Sequence, residues 1–529
     1  MKPWPFYGRK KEVTTLQNGL DLAKAKNIRL FQALRVRGKR GVGKTQLLYE
    51  MQKHAPTDGP IIINQLPDPV QYQNPVVELT SRVMKEASRI GGGDIKVRLQ
   101  NLLSHRGEWD TDRMFFMEVL KALLKAGAVV VLDEFHLGQG LGLPGDVRQV
   151  IDEAARSREN FPGKLVMMGS HQQKFDDMFS ADQPLHGRVD DTVLLQPWCL
   201  KTIMTMADEQ GILASPDKFL TLWTAYGGMP RHWERYCRQN RYAHLHGIEN
   251  DKDWRQAWLA VEHGVVANDG RERWHAKAWV ELPKDHRFLL IWIGQNKPKG
   301  VKLNQIPKEL GSYNEKLSIM NDLRDWTGLV ELNRPLGEQS PAKWYITDPN
   351  TLFQINVFRE MVPIKDDQPA VSVSGTVLGP SDGPRFLARM ETLEGDSLEQ
   401  LATAWLAAKE GVTWSGSRVW HPRFDSDIDS MATSMGDGPK VVWLGSCKRS
   451  EVSHSPTETR AKQDIFMECL IKSAGQEKEE SAELLLKAEL KRLLISPSFS
   501  PGYRERFGKE GFEIVDIPAM ALSFDLHSH

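Results

Sequence analysis

The stretch Gly38-Lys39-Arg40-Gly41-Val42-Gly43-Lys44-Thr45 decides the fold of this chain. It fits the template G-x-x-x-x-G-K-[ST], a glycine-rich loop that connects a strand to a helix. An apolar, β-branched run (Leu30–Val36) precedes the loop, and a helical pattern (Thr45–His54) follows it. A chance glycine-rich turn would not bring strand, loop, Lys-Thr and helix together in this order.

The chemistry of such a loop is binding of a triphosphate. Its glycines let backbone N–H groups turn inward around a phosphate, and the helix N-terminus adds the positive end of its dipole. Lys44 is expected to reach the β- and γ-phosphates, and the Thr45 hydroxyl to hold Mg²⁺. We therefore predict ATP and Mg²⁺ as cofactors. The loop residues expected to contact them are Gly38, Gly41, Gly43, Lys44, Thr45 and Gln46.

Length and composition limit the class of protein. A chain of 529 residues has room for about three or four domains. Lys plus Arg equals Asp plus Glu, at 69 each, so the composition has no global polyanion-binding signature. Four cysteines without C-x-x-C spacing argue against a disulfide framework or a cysteine-built zinc site. No apolar run reaches the ~18 residues of a membrane helix, so we expect a soluble, cytoplasmic protein.

A second chemical landmark is the run Ala128–Leu132, which ends in two carboxylates. A continuous apolar run is typical of a parallel strand that is covered on both faces. Asp133 is expected to complete the Mg²⁺ shell through water, and Glu134 to orient and polarise the attacking water. Taken alone, Asp-Glu after a strand is more often a solvated turn, but the upstream loop favours the catalytic interpretation.

Three further residues are candidates for sensing or stabilising the phosphates. Ser170 follows the apolar run Lys164–Gly169 and is a γ-phosphate sensor candidate, or a simple strand-to-turn serine. Arg188 is a candidate arginine finger that enters a neighbouring subunit's site, or a plain surface arginine. Arg231 begins a row with Arg235 and Arg238 that could track a phosphodiester backbone. The favoured interpretation of this row is a solvated face with one sensor arginine.

Residues 286–348 give the pattern of a winged helix-turn-helix. We predict helices over Phe288–Ile293, Lys302–Leu310 and Tyr313–Trp326, and strands over Leu329–Asn333 and Lys343–Thr347. The would-be recognition helix places Lys316 and Arg324 against Glu315, Asp322 and Asp325, a poor match to a phosphate-lined groove. We therefore expect this module to serve packing.

The rest of the chain predicts a linker and a second α/β unit. Proline, glycine and serine interrupt residues 360–384, as in a linker. Predicted helices beyond it cover Gly395–Lys409, Pro456–Ala474 and Ser481–Leu494, and predicted strands cover Lys440–Leu444 and Phe512–Ile517. The segment Trp420–Asp429 ends in three aspartates, Asp425, Asp427 and Asp429.

The whole chain resembles the archaeal-type ATPase family, a branch of the AAA+/STAND NTPases. The resemblance is carried by the segments FYGRKKEV, GKRGVGKT, VVVLDEF, MMGS, PLHGR and GGMP, and by Trp344–Phe353, which resembles the signature Y-x-I-x-D-P-x-x-x-F. It implies that Gly8 and Arg9 border the adenine pocket, that Pro230 and Arg231 face the nucleotide from a lid, and that the chain forms homo-oligomers in ATP. The implied domains are an AAA+ core (1–199), a helical lid (200–284), a winged helix (285–359), a linker (360–384) and a restriction-endonuclease-like domain (385–529).

Many members of that family carry a nuclease motif in the last domain: an Asp, then Glu-x-Lys on the next strand. Asp429 and Lys448 match it, whereas Ser446 stands at the Glu position and is a poor Mg²⁺ ligand. Glu399, Asp427 or Glu451 could replace the missing carboxylate. We predict weak or no cleavage by this domain.

Two functions remain open from the sequence. One is an ATP-hydrolysing switch or motor that acts with nucleic acid, DNA rather than RNA, in defence against phage or control of mobile DNA. The other is a STAND-type signalling scaffold whose C-terminal domains bind partner proteins. Stimulation of ATP hydrolysis by nucleic acid would separate them.

Overall fold

The computed structural model describes two compact units of the chain, one ending at Pro197 and one beginning at Trp198. The described residues are 7–21, 33–39, 41–54, 60–67, 69, 71–157, 161–170, 172–212, 215–268, 282–296, 301–324, 329–333, 343–346, 349–357, 382–409, 412–420, 427–434, 440–477 and 479–523. The break at 197/198 lies beside the predicted core–lid boundary. The finer domain boundaries remain predictions, and most of the predicted linker lies outside the described residues.

The first unit alternates strands and helices. Its elements are α1 (Lys10–Asp21), β1 (Ala33–Gly38), α2 (Lys44–His54), β2 (Ile61–Gln65), α3 (Pro75–Ile90), α4 (Gly93–Ser104), α5 (Asp112–Lys125), β3 (Val129–Asp133), α6 (Leu143–Arg156), β4 (Lys164–Gly169), α7 (Gln172–Asp177) and β5 (Val189–Leu195). The strand before the glycine-rich loop runs to Gly38, two residues beyond its predicted end.

The five strands form one parallel sheet in the order β2-β3-β4-β1-β5. Strands β3 and β4 are buried along their whole length, which is the reason for their continuous apolar sequences. Because parallel strands end at the same edge, the segments after β1, β3 and β4 meet there. This arrangement is an α/β fold, an open parallel sheet whose carboxyl edge carries the glycine-rich loop.

The second unit begins with helices: α8 (Leu200–Glu209), α9 (Pro216–Tyr226), α10 (Pro230–Arg238), α11 (Asp251–Asn268), α12 (Lys284–Asn296) and α13 (Tyr313–Asp322). The two-stranded antiparallel ribbon of β6 (Val330–Asn333) and β7 (Lys343–Ile346) follows, and then α14 (Pro349–Val357). The predicted helix over Lys302–Leu310 is wrong. Two 3₁₀ turns occupy the segment, with Pro307 in an extended conformation between them (ψ 145°), because proline disfavours a helical residue before it and removes an N–H donor.

A mixed sheet closes the second unit. Its elements are α15 (Asp382–Ala407), β8 (Trp414–Trp420), β9 (Asp427–Ser434), β10 (Val441–Cys447), α16 (Pro456–Glu477), α17 (Glu479–Lys487), β11 (Glu489–Ile495), α18 (Pro501–Lys509), β12 (Glu513–Val515) and α19 (Ile517–Ser523). The order is β12-β11-β10-β9-β8, with antiparallel pairing from β8 to β10 and parallel pairing from β10 to β12.

Two predicted elements of this unit are corrected by the structure. The helix predicted over Ser481–Leu494 ends at Lys487, and Glu489–Ile495 forms the strand β11. That strand pairs on both sides, so sheet pairing overrides the helical pattern of its leucines. The helix predicted from Gly395 begins at Asp382 instead, inside the predicted linker. Across the described part of the chain, no helix combines the length and the apolar content needed to cross a bilayer.

Candidate functional site

The glycine-rich loop folds around backbone conformations and close approaches that side chains would disturb. Gly43 has φ +98°, in the left-handed region that favours glycine. A Cβ atom on Gly38 would lie 2.7 Å from the Leu195 carbonyl oxygen and 2.8 Å from a Val42 methyl carbon. Glycine at position 38 therefore lets the loop leave β1 directly beside the end of β5.

Lys44 is held inside the loop that precedes it. Its side chain is buried, and Nζ donates to the carbonyl oxygens of Gly38 at 2.9 Å and Lys39 at 3.3 Å. These carbonyl groups bring the ammonium group back over the loop whose N–H groups would cradle a phosphate. The position of Lys44 fits the phosphate-binding role predicted from its spacing.

Thr45 and Asp133 meet at the carboxyl edge of the sheet. The Thr45 hydroxyl donates to Asp133 Oδ2 at 2.8 Å, although the two residues are 88 positions apart. Asp133 is 6% exposed, and burial, followed by the charge of Glu134, raises the pKa of its carboxyl group. A hydroxyl and a buried carboxylate side by side are hard oxygen donors of the kind that Mg²⁺ prefers, so the residues present fit a magnesium ion.

Glu134 lies next to Asp133 in an unusual backbone conformation. Its φ of 55° makes it the one non-glycine residue with positive φ in the described part of the chain. Left-handed backbone at a bulky residue is costly and is often found at functional sites. The Glu134 carboxylate accepts from the hydroxyl and the backbone N–H of Ser170, at 2.5 and 3.3 Å. The predicted water-polarising residue and the predicted sensor are therefore in direct contact.

His136 is a site residue that the sequence reasoning missed. Its Nδ1 lies 3.4 Å from the same Glu134 oxygen that Ser170 contacts, and its ring is largely buried. The sequence feature that could have identified His136 is its position two residues after Glu134, directly after the strand that ends in the two carboxylates. Glu134 thus has two polar neighbours, Ser170 and His136, at one oxygen of its carboxylate.

Arg9 lies against the loop and is buried. Its guanidinium donates to the carbonyl oxygens of Val42 at 3.1 Å and Gln196 at 2.5 Å, and pairs with Glu12 at 2.9 Å. Arg9 therefore clamps the glycine-rich loop to the end of β5. Gly8, before it, is exposed with φ +60°. Contact of either residue with adenine remains a prediction.

The other predicted nucleotide residues lie apart from this cluster or in the second unit. Gln46 is exposed in the first turn of α2. The Arg188 guanidinium pairs with Asp152 of its own chain at 2.5 Å, and its action on a neighbouring subunit remains a prediction. Arg231 is exposed and Pro230 buried in the first turn of α10. Arg235 and Arg238 have partners on their own helix or at its end, Gln239 at 3.1 Å and Glu234 at 2.9 Å, as on a solvated face.

The predicted nuclease residues gather where β9 and β10 pair. Asp429 Oδ2 accepts from the Cys447 N–H at 2.8 Å and the Ser446 hydroxyl at 3.4 Å, and Lys448 follows in an exposed position. Burial raises the pKa of the Cys447 thiol well above its usual value, and the charges of Asp429 and Glu399 raise it further. The charges of Asp429 and Glu399 therefore both act at the end of β10, where Cys447 lies.

This second cluster does not amount to a full metal site. Among the described residues, no group of three or more His, Cys, Asp or Glu side chains could hold a metal ion. The Asp427 side chain lies outside what the structure describes, and the carboxylate that would occupy the Ser446 position is absent from the sequence. We derive no metal-dependent cleavage step, and weak or absent cleavage stays a prediction.

Lys316, the first basic residue of the would-be recognition helix α13, is buried. It is 4% exposed, and its Nζ donates to the carbonyl oxygens of Ile306 at 2.9 Å and Pro307 at 3.4 Å. Arg324 lies with its guanidinium carbon 5.8 Å from the centre of the Trp344 ring. Lys316 is therefore bonded within the module, whereas Arg324 is exposed, and the packing role remains a prediction.

Comparison with known proteins gives only distant likenesses. No protein-family model matches the chain, and no curated protein matches it. The Walker-type ATPase PABY2304 of Pyrococcus abyssi is 15% identical, over 66% of this chain and 96% of that chain, with a TM-score of 0.41. The ORC2 protein of Aeropyrum pernix, in ADPNP–ADP complexes, is 13% identical over 74% and 96%, with a TM-score of 0.44. Likeness at this level decides neither family nor function, and the fold assignment rests on the strand order of the chain's own sheet.

Proposed function

We propose that this chain is a Mg²⁺-dependent ATPase of the AAA+ type, which acts as a switch or motor with nucleic acid. The observation that supports it most is the meeting of two residue pairs at one edge of the parallel sheet. Thr45 contacts Asp133, and Ser170 contacts Glu134, directly beside the loop that holds Lys44. A phosphate-binding loop, a cation site and a general base within one edge are the parts that phosphoryl transfer to water needs.

The proposed mechanism assigns one role to each side chain. Lys44 neutralises oxygens of the β- and γ-phosphates. Mg²⁺, held by Thr45 and Asp133, would supply further neutralisation of the same oxygens. Glu134 accepts a hydrogen bond from the attacking water, whose oxygen bonds the γ-phosphorus while the bond to the β–γ bridging oxygen breaks and ADP leaves. The proton that the water loses passes by way of the Glu134 carboxylate to the phosphate product. The products are ADP and phosphate.

Ser170 and His136 would set where the Glu134 carboxylate points. Glu134 has one oxygen committed to the Ser170 hydroxyl and backbone N–H, with the His136 ring next to it. A base must lie within hydrogen-bond reach of the proton it takes, so residues that hold the carboxylate control turnover without touching the phosphates.

The test of this function is phosphate release by the full chain. Purified protein with ATP should release phosphate in Mg²⁺ and stop when EDTA is added, and Lys44→Ala should match the blank. Release that survives in Lys44→Ala would contradict the role assigned to Lys44, and absence of release from the natural chain under all nucleic-acid conditions would overturn the proposal.

The C-terminal sheet is the proposed contact with nucleic acid, DNA rather than RNA. Exposed Lys448 lies at a strand end beside Asp429, whereas the winged-helix pattern has its Lys316 buried. Added DNA should stimulate phosphate release, and binding should weaken with rising salt. Lys448→Ala should reduce both effects, while Lys509→Ala, at the C-terminal end of α18, serves as a control that removes one exposed lysine. A role in defence against phage or mobile DNA rests on the family resemblance alone.

The buried Lys316 also favours a second function. A STAND-type scaffold would use the winged-helix pattern and the C-terminal sheet for protein contacts, with ATP turnover gating assembly. This function predicts phosphate release that DNA and RNA leave unchanged, and a mass that rises in ATP. The first function predicts stimulation by nucleic acid at low salt.

A further inference from the structure

A buried ionic cluster joins the helices after the ATPase core to the C-terminal sheet, within the second unit. Its centre is Glu394 on α15, whose side chain is 0% exposed. The Thr221 hydroxyl (α9) donates to Glu394 Oε1, and the Arg255 Nε (α11) lies 3.0 Å from the same oxygen. Arg449, which follows β10, donates to Glu394 Oε2. Residues from three other segments thus contact the two oxygens of the Glu394 carboxylate.

The outer members of the cluster extend it along the same helices. Arg449 Nη2 lies 3.5 Å from Asp217 in the first turn of α9, and Arg255 Nη1 lies 3.9 Å from Glu391, one turn before Glu394. Arg449 therefore touches both α15 and α9. The Glu394 cluster comprises Asp217, Thr221, Arg255, Glu391, Glu394 and Arg449.

Arg449 is the next residue after Lys448 of the candidate nucleic-acid site. The Lys448 N–H donates to the Ile495 carbonyl at 2.9 Å, and the Lys448 carbonyl accepts from the Ser496 hydroxyl at 2.7 Å. Asp429 is bonded to the N–H of Cys447, one residue earlier. Lys448 is thus hydrogen-bonded to the end of β11. The next residue, Arg449, contacts Glu394 of α15 and Asp217 of α9.

Stability alone is a poor explanation for such a cluster. A buried ion pair gains little net stability over an apolar replacement, because both partners must be taken out of water. Burial raises the pKa of the Glu394 carboxyl to about 7, which is the direction that the cost of a buried charge predicts. Directional charge pairs instead fix the relative position of the segments that carry them.

A short covalent path leads from the glycine-rich loop to these helices. Arg9 bonds the Val42 carbonyl in the loop and the Gln196 carbonyl at the end of the core. Two residues later, the Trp198 N–H bonds the Gly228 carbonyl at 2.7 Å, just after α9. Two residues of chain therefore separate Gln196, which Arg9 bonds together with the loop, from Trp198, which is bonded to the segment after α9.

We propose that the Glu394 cluster couples the nucleotide state of the glycine-rich loop to the position of the strand end that carries Asp429 and Lys448. The coupling rests on the proposed binding of ATP. If bound nucleotide changes the affinity of the strand end for nucleic acid, then nucleic acid bound there changes the affinity for nucleotide by the same factor. The cluster is then a positioning device, and its residues contact neither nucleotide nor nucleic acid.

The test is hydrogen–deuterium exchange of the full chain, with and without AMP-PNP and Mg²⁺. In the natural protein, peptides from 38–54 should become protected, and exchange in 441–453 should change by about five-fold or more. Arg449→Met should keep the protection at 38–54 and lose the response at 441–453. Arg492→Met is the matched control. Arg492 lies on β11 of the same sheet, pairs with Asp464, and is exposed to a similar extent as Arg449. This variant should keep both responses.

The outcomes separate this proposal from the function on which it rests. Absence of protection at 38–54 in the natural chain would overturn ATP binding, and the coupling with it. Protection at 38–54 without a response at 441–453, or a response that survives in Arg449→Met, would overturn the coupling alone. If Arg449→Met does not fold, Thr221→Val removes one donor from the other side of Glu394 at constant charge. It should reduce the response at 441–453, and an undiminished response contradicts the proposal.

Discussion

The carboxylate of Glu134 and the hydroxyl of Ser170 are joined by a hydrogen bond of 2.5 Å between the ends of two neighbouring strands. In the proposed mechanism the same carboxylate, held in place by Ser170, must reach a water beside the γ-phosphate. Ser170 is therefore a residue whose removal should change turnover and leave nucleotide affinity nearly unchanged.

Replacing Ser170 with Ala should lower kcat by about 10- to 100-fold, because a misplaced base loses its alignment with the water. KM for ATP should change little, since the loop and Lys44 are untouched. Ser170→Thr, which keeps a hydroxyl, is the control and should retain more activity than the Ala variant. Steady-state kinetics decide the matter, and a rise in KM at unchanged kcat would mean that Ser170 binds nucleotide instead.

Arg188 is predicted to act on a neighbouring subunit, although it pairs with Asp152 in its own chain. An Arg188→Ala chain mixed with a Glu134→Gln chain should recover part of the hydrolysis that each lacks alone, because one chain keeps the base and the other keeps the arginine. Phosphate release is measured across mixing ratios. Failure to recover at every ratio, together with a monomeric mass in ATP, would contradict a shared site.

The Ser446 position is predicted to limit any metal-dependent cleavage. Ser446→Glu rebuilds Glu-x-Lys beside Asp429, and the added carboxylate should tighten Mg²⁺ binding and give nicking of plasmid DNA. Adding Lys448→Ala should remove that gain. Efficient cutting by the natural chain that Glu399→Ala abolishes would mean that the missing carboxylate comes from α15.

His454 predicts an acid-sensitive contribution to stability in the C-terminal sheet. Its ring stacks on Phe499, its Nε2 lies 3.1 Å from the Ile495 carbonyl oxygen, and burial lowers its pKa to about 4. The unfolded chain binds the proton near pH 6.5, so the stabilisation is complete above pH 6.5 and is lost as pH falls to about 4. The loss is of order 3 kcal/mol.

Thermal unfolding between pH 7 and pH 4 measures this contribution. His454→Gln, which cannot titrate, should show a smaller drop in melting temperature on acidification than the natural chain. Equal drops in both proteins would assign the acid sensitivity to other groups.

The part of the fold that the sequence predicts is the part in which a local pattern and a chemical motif coincide. The glycine-rich loop and the Asp133–Glu134 strand end each combine a buried apolar strand with residues whose spacing has a mechanism, and both lie where predicted. The helix predicted over Lys302–Leu310 failed because Pro307 interrupts it. The strand β11 was missed because its leucines also fit a helix, and only pairing with β10 and β12 decides between the two.

The residues of the candidate site were likewise predictable where a local motif or the sheet topology determines their position. Spacing places Lys44 and Thr45 on one loop, and parallel topology brings Asp133, Glu134 and Ser170 to it. The position of His136 beside Glu134 depends on a backbone conformation that no propensity predicts. Glu394 and Arg449 are 55 residues apart, and their contact comes from tertiary packing alone.

The most direct test of the central claim compares nucleotide binding with turnover in two variants of the glycine-rich loop and the base. Lys44→Ala should lose affinity for a fluorescent ATP analogue, because the cation that meets the β- and γ-phosphates is gone. Glu134→Gln should bind the analogue as the natural chain does and release phosphate at least about 100-fold more slowly. Binding lost equally in both variants, or turnover kept in Glu134→Gln, would contradict the roles assigned to these residues.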